Sequence, residues 1–190
     1  MKVSDYIANF LAQREVHAIF GYSGGAITHL LDSFSRCSNI QFIQTYHEQS
    51  AAIAAEGYSS FSSTLGVALA TSGPGATNMI TGIADAYFDS IPVLYITGQV
   101  NTYEYKGSKP IRQQGFQETD IVSIVKSITK YAVQVFDPLT IRYELEKAWA
   151  IATNGRYGPV LLDIPMDIQR AEVDEDSLTG FDDTFSSTNS

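Results

Sequence analysis

Three stretches hold the residues that could do chemistry. Two are glycine turns, GYSGGA (21–26) and TSGPGATN (71–78), each following an apolar run and leading into a helix-like one. Glycine at a strand-to-helix turn can cradle a phosphate on backbone N–H groups. Neither turn, however, carries the dinucleotide spacing G-x-G-x-x-G or a Gly-Lys-Ser/Thr. The plain alternative is a tight turn whose dihedrals only glycine adopts readily. Two such turns at neighbouring strand ends point to something flat held between them.

The third stretch is TYHEQSAAIAAEGYSSF (45–61), in which Glu48 stands beside His47 at the mouth of an alanine-rich helix. An acid there can simply meet the positive end of the helix, worth about 0.3–1 kcal/mol. If the first turn is buried, the carboxylate loses water, its neutral form is favoured, and it becomes a candidate acid–base group. Glu56, eight residues on, is expected to face solvent or a polar partner. Asp85 and Asp89, four apart on a helix face, fit a solvated or hydrogen-bonded role. Ser23 and Ser72 lack the Gly-x-Ser-x-Gly elbow of a nucleophile. His17, His29 and His47 have no ligand spacing, so no metal site is expected in the chain itself.

The elements that must position these residues follow from the hydrophobic rhythm. HAIFGY, IQFIQTY, LGVALATS, PVLYITG, KYAVQVF and PVLLDIP read as six short apolar strands, separated by segments of helical period. Asp137-Pro138 opens a well-signalled helix, with Asp as N-cap. This alternation predicts a doubly wound, six-stranded parallel sheet covered on both faces, a flavodoxin-like three-layer α/β/α fold. In such sheets ligands sit outside the carboxyl ends of the strands, which is where GYSGGA, Glu48 and TSGPGATN fall. Residues 99–117 are long, polar and without period, as functional loops often are. The chain is expected to be one domain over 1–170, with 171–190 an acidic, then Ser/Thr-rich linker or disordered tail.

Composition narrows the function classes. The 190 residues carry 44% hydrophobic and 17% charged side chains and a net charge of −9. There is no Lys/Arg cluster to meet nucleic acid, and an anionic surface is repelled by an anionic membrane. The single cysteine, Cys37, forms no internal disulfide, and a reducing cytoplasm is the simplest compartment. The first residues have neither the pattern of a signal peptide nor that of a membrane span.

Taken in order, GYSGGA, YHEQSAAIAAEGYS, GVALATSGPGATNMITGIADAYFDSIPVLYITGQV, GFQETDIV, ITKYAV and GPVLLDIPMDIQ closely resemble the N-terminal, pyrimidine-binding domain of thiamine-diphosphate enzymes of the acetolactate synthase type. The resemblance covers residues 1 to about 170. It implies a carboligase acting on 2-oxo acids. A 2-oxo acid decarboxylase or related lyase of the same superfamily, and a non-catalytic pyrimidine-domain protein that only dimerises or binds a partner, remain alternatives. It implies that Glu48 protonates a pyrimidine ring nitrogen of the cofactor, the step that prepares the thiazolium carbon. Tyr22, Gly24, Gly25 and Ala26 then line the pyrimidine, with Pro74 and Asn78 beside the same ring. Gln117 would face the reacting carbon and Phe116 the substrate. The usual Tyr-Pro-Gly-Gly is here Tyr22-Ser23-Gly24-Gly25. Met166 stands where the family usually has a lysine near the entrance, and Arg112 would supply a cation instead.

The resemblance also implies a homodimer or higher homo-oligomer. A partner subunit's diphosphate-binding domain would complete the site there and hold magnesium. The family's Gly-Asp-Gly motif for that metal does not occur in these 190 residues. An excised domain and a separate subunit both stay open, and the isolated chain is expected to be inactive.

Overall fold

The structure, a computed structural model, describes residues 1–62 and 64–182. The elements in chain order are α1 (Val3–Gln13), β1 (Ala18–Gly21), α2 (Thr28–Arg36), β2 (Gln41–Gln44), α3 (Glu48–Phe61), β3 (Gly66–Ala70), α4 (Pro74–Asn78), α5 (Ile80–Asp89), β4 (Val93–Gln99), α6 (Ile121–Val125), β5 (Tyr131–Gln134), α7 (Ile141–Thr153), β6 (Val160–Pro165) and α8 (Met166–Arg170). All six expected strands form, and every neighbouring pair is parallel. The order is β2-β1-β3-β4-β6-β5.

The last two strands depart from simple succession. β6 comes back to pair with β4, aligning Leu94 with Val160, and leaves β5 at the edge. Their composition explains the exchange. β6 is VLLDIP and buried throughout, whereas YAVQ of β5 is half-buried, which suits an edge.

Side-chain alternation divides the core in two. Val67, Leu69, Leu94, Ile96 and Leu162 face α1, α2, α7 and α8. Ala68, Ala70, Tyr95 and Leu161 face α3, α5 and α6. The second layer is built from small residues, and its helices come close. A Cβ placed on Gly82 of α5 would lie 2.5 Å from the Cβ of Ala52 on α3. The alanines of α3 are therefore consumed inside the domain.

Where composition suggests a linker or frayed tail from 171, residues 171–182 are held to the body. Lys2 and Glu172 form an antiparallel bridge, and Val173 donates its N–H to the Met1 carbonyl at 2.8 Å. Val173 and Leu178 are buried in the core, and the ring of Phe181 packs on Tyr143. The acidic residues of this strap outnumber its apolar ones and mask their spacing. Residues 183–190 of the expected tail lie outside the described residues. Among the described residues, no helix is long and apolar enough to cross a membrane.

Candidate functional site

In a parallel sheet all strands end on one side, so the segments after β1, β2, β3, β4 and β6 gather there. Strand order reverses between β1 and β3, the point outside whose carboxyl ends doubly wound sheets form their ligand crevice. GYSGGA and TSGPGATN are the two lips of that crevice. They are tied together: Ala26 donates its N–H to Thr71 Oγ1 at 3.1 Å, and a Cβ on Gly24 would lie 2.4 Å from the Cβ of Thr71. Thr71 thus holds the first turn to the second, a role that no local pattern announces across 45 residues.

Glu48 is the first residue of α3. His47 caps the helix, its Nδ1 accepting the N–H of Gln49 at 3.2 Å. The Glu48 side chain is buried, with 7% exposure. Asn78, at the end of α4, donates its Nδ2 to Glu48 Oε2 at 2.9 Å. Among the described residues no donor reaches Oε1. That oxygen lies 3.2 Å from where a Cβ on Gly75 would stand, so a glycine makes room for it. The carboxyl group is fixed through one oxygen and open at the other, the arrangement of a group that can meet a ligand at Oε1.

The long segment after β4 folds back to the same crevice. Gly73 has φ +62, and a Cβ there would meet the Gln117 carbonyl at 2.7 Å. Both facts restrict this position to glycine. Gln117 itself has φ +59, the left-handed region that a non-glycine residue enters at a cost. The surroundings enforce it. Gln99 Nε2 donates both to the Thr119 carbonyl at 2.8 Å and to Asp163 Oδ2 at 3.0 Å, while Thr97 Oγ1 donates to Asp163 Oδ1 at 2.7 Å. Glu118 accepts backbone N–H groups from Lys106, Gln114 and Gly115 at 2.9, 2.7 and 3.2 Å. Burial alone would push Glu118 up, but those three N–H groups hold it below the usual carboxylate range. Asp167, beside Met166, takes both the N–H and the hydroxyl of Thr102.

The sequence-predicted residues fall into two groups. Glu48, Asn78, Gly24, Ala26 and Gln117 are brought together through Thr71, Gly73 and Gly75. Tyr22, Gly25 and Pro74 are exposed along the lips. Phe116 is 81% exposed and Arg112 is exposed on the same loop, so neither side chain is built into a wall by this chain. Thr71, Gln99, Glu118 and Asp163 were not singled out from sequence. Only Asp163 had a visible signal, a lone acid inside the apolar strand PVLLDIP.

The crevice is an open face. A cavity of about 630 Å³ lies instead at the amino ends of β3 and β4, between Ser59, Leu65, Pro92, Trp149 and Tyr157, and has none of this chemistry. Neither lip contains Lys or Arg, so phosphate finds no cation there. A Cβ on Gly25 would meet nothing within 4 Å, which leaves its backbone open to close approach. An accessible backbone, small apolar side chains and one free carboxyl oxygen suit a flat, hydrogen-bonding heterocycle.

Comparison with known proteins agrees with that chemistry. The family model described as "Thiamine pyrophosphate enzyme, N-terminal TPP binding domain" matches residues 1–124. The chain is 44% identical over 172 residues to the acetolactate synthase large subunit of Lactococcus lactis subsp. lactis, covering 90% of this chain and 29% of that protein. It is 43% identical over 169 residues to the chloroplastic acetolactate synthase of Arabidopsis thaliana, covering 89% of this chain and 24% of that protein. A probable acetolactate synthase large subunit of Methanocaldococcus jannaschii is 44% identical over 174 residues, covering 92% and 28%. The chain thus spans less than a third of the length of these relatives.

Proposed function

The chain belongs to the thiamine pyrophosphate enzymes, as their N-terminal TPP-binding domain, and from that premise we propose that it is the proton-transfer part of a 2-oxo acid carboligase of the acetolactate synthase type. The observation that carries this reading is Glu48: buried, tethered through Oε2 by Asn78, and among the described residues without a donor at Oε1.

The crevice fits the aminopyrimidine end of thiamine diphosphate and not its diphosphate. Gly24, Gly25 and Ala26 would meet one side of the ring with backbone, Pro74 and Tyr22 would bound it, and Glu48 Oε1 would pair with a ring nitrogen. When bound, the cofactor supplies the electron sink for the carbanion left as a 2-oxo acid loses carbon dioxide. Glu48 would give or take a proton at Oε1, the oxygen left without a partner among the described residues. Asn78 commits Oε2 as an acceptor, which would leave Oε1 to meet the ring. Gln117, held in its left-handed conformation against Gly73, would bring its amide to the reacting centre. Phe116 and Arg112, on the same loop, would meet the acid's apolar and anionic ends.

The oxygen ligands for magnesium, and with them the hold on the diphosphate, would come from outside this chain, on a partner subunit. The open crevice supports that reading. So does Gly57 on the outer side of α3, where a Cβ would meet nothing. A glycine inside a helix costs about 0.5–1 kcal/mol relative to alanine, and a partner element packed closely there would account for it. Exposed Ile53 on the same side adds an apolar contact. The reading is a homodimer whose sites form between subunits, in a cytoplasmic enzyme.

The test is calorimetry and product analysis on the full-length protein. It should bind thiamine diphosphate in the presence of magnesium and convert pyruvate or a related 2-oxo acid to a carboligated 2-hydroxy-3-oxo acid. Failure to bind the cofactor would overturn the assignment. Binding with release of free aldehyde alone would replace carboligation by decarboxylation.

A further inference from the structure

Two turns along α3 from Glu48, about 12 Å by helix rise, three carboxylates meet on the seam between α3 and α5. Glu56, Asp85 and Asp89 each place one carboxylate oxygen within 4.8 Å of the others. Asp85 and Asp89 are one turn apart on α5 and exposed. Glu56 reaches them from α3 because the two helices are in close contact through Gly82 and Ala52. Glu56 is not on the solvent side. It is 6% exposed, and its Oε2 is buried with no hydrogen-bond partner.

The ion pairs of the described residues lie elsewhere: Arg36 with Asp5 and Asp32, Arg142 with Glu146, and the Met1 amino group with Glu172. Among the described residues no cation reaches Glu56; its side-chain partner is Asp85, itself a carboxylate, and two like charges beside a buried carboxylate are costly. Burial first, then the charges of Asp85 and Asp89, push Glu56 up to about 7. The other titratable group in the seam is the Tyr95 phenol, which is raised and gives its hydroxyl to the Gly82 carbonyl at 3.1 Å. It brings no positive charge.

We propose that Glu56, Asp85 and Asp89 bind one hard divalent cation, of the calcium or manganese class. Three carboxylates and no nitrogen or sulfur donor select such an ion. The open side at Asp85 and Asp89 leaves its remaining positions to water. The cation would supply the counter-charge that Glu56 lacks and would join α3 to α5.

The test uses the 190-residue chain, in which this cluster is the metal site under trial. Manganese is titrated and followed by electron paramagnetic resonance, with calcium and magnesium as competitors. The expected result is one manganese per chain, saturating at or below about 1 mM, and displaced by calcium. Asp85→Asn/Asp89→Asn changes only exposed side chains and should fold normally by circular dichroism. It should weaken binding by at least about tenfold, as each carboxylate is a ligand. Glu56→Gln should do the same. Absence of a saturable site, or equal affinity in the folded double variant, would overturn the proposal.

Discussion

The side-chain amide of Asn78 donates to Glu48 Oε2 at 2.9 Å, joining the end of α4 to the start of α3 across 30 residues of sequence. This one bond decides which oxygen of a buried carboxyl group is free. It also ties the second glycine turn, through the helix it opens, to the acid at the crevice.

Removing that donor should therefore affect turnover more than folding. In the full-length protein, Asn78→Ala is expected to cost about 1–2 kcal/mol of stability, read by denaturant unfolding. The rate of product formation should fall by roughly tenfold, about the effect of misplacing one catalytic group. Asn78→Asp should do worse, because it sets a second carboxylate against Glu48.

Gly25 separates the needs of the fold from those of the ligand. A Cβ there meets nothing within 4 Å in the chain itself. Gly25→Ala should leave stability within about 0.5 kcal/mol while weakening thiamine diphosphate binding by calorimetry. Gly24→Ala, which would run into Thr71, should instead lower stability.

Two buried acids set the pH dependence of stability. Burial pushes Asp163 up to about 7 against the opposing hydrogen bonds from Thr97 and Gln99. Burial and the neighbouring Asp85 and Asp89 push Glu56 to about 7. For both, the folded state holds the proton more tightly than the unfolded chain. Their contribution is complete below the unfolded values of 3.8 and 4.5 and is lost as pH rises toward 7. The loss is on the order of 4 kcal/mol for Asp163 and 3 kcal/mol for Glu56. In chelator, urea unfolding should show stability falling between pH 5 and about 7.5. Glu56→Gln should flatten that decline and stabilise the chain at the alkaline end.

Glu118 is the knot of the loop that carries Gln117. Glu118→Ala frees the three N–H groups of Lys106, Gln114 and Gly115. Limited proteolysis should then cut within 99–120 much faster, since the loop can open locally while the sheet stays intact. The thermal midpoint of the domain should move little.

What was legible in the sequence was what local pattern encodes. The six apolar runs became the six strands, and the glycine turns and Glu48 fell at strand ends because a parallel sheet leaves no other place. The order of the last two strands was not legible, since it depends on β6 outcompeting β5 for a buried position beside β4. Thr71, Gln99 and Asp163 were hidden because their partners lie 45, 20 and 64–66 residues away. Glu56 had a readable signal: it shares a helix face with Ala52 and Ala55, all three buried. Its charge argued for solvent, and the helix period was the better guide. The strap at 171–182 was obscured in the same way, its buried Val173 and Leu178 set among acids.

The central claim is that Glu48 controls a proton of bound thiamine diphosphate. The most direct measurement is the rate at which the full-length protein exchanges the thiazolium C2 proton of bound cofactor with deuterated water, by acid quench and nuclear magnetic resonance. Glu48→Gln keeps the shape of the side chain and its bond to Asn78 but cannot hold the proton at Oε1. With cofactor still bound, the account predicts that exchange slows by about 10²–10⁴, the range of general acid–base catalysis. Exchange at the wild-type rate in the cofactor-loaded variant would contradict it.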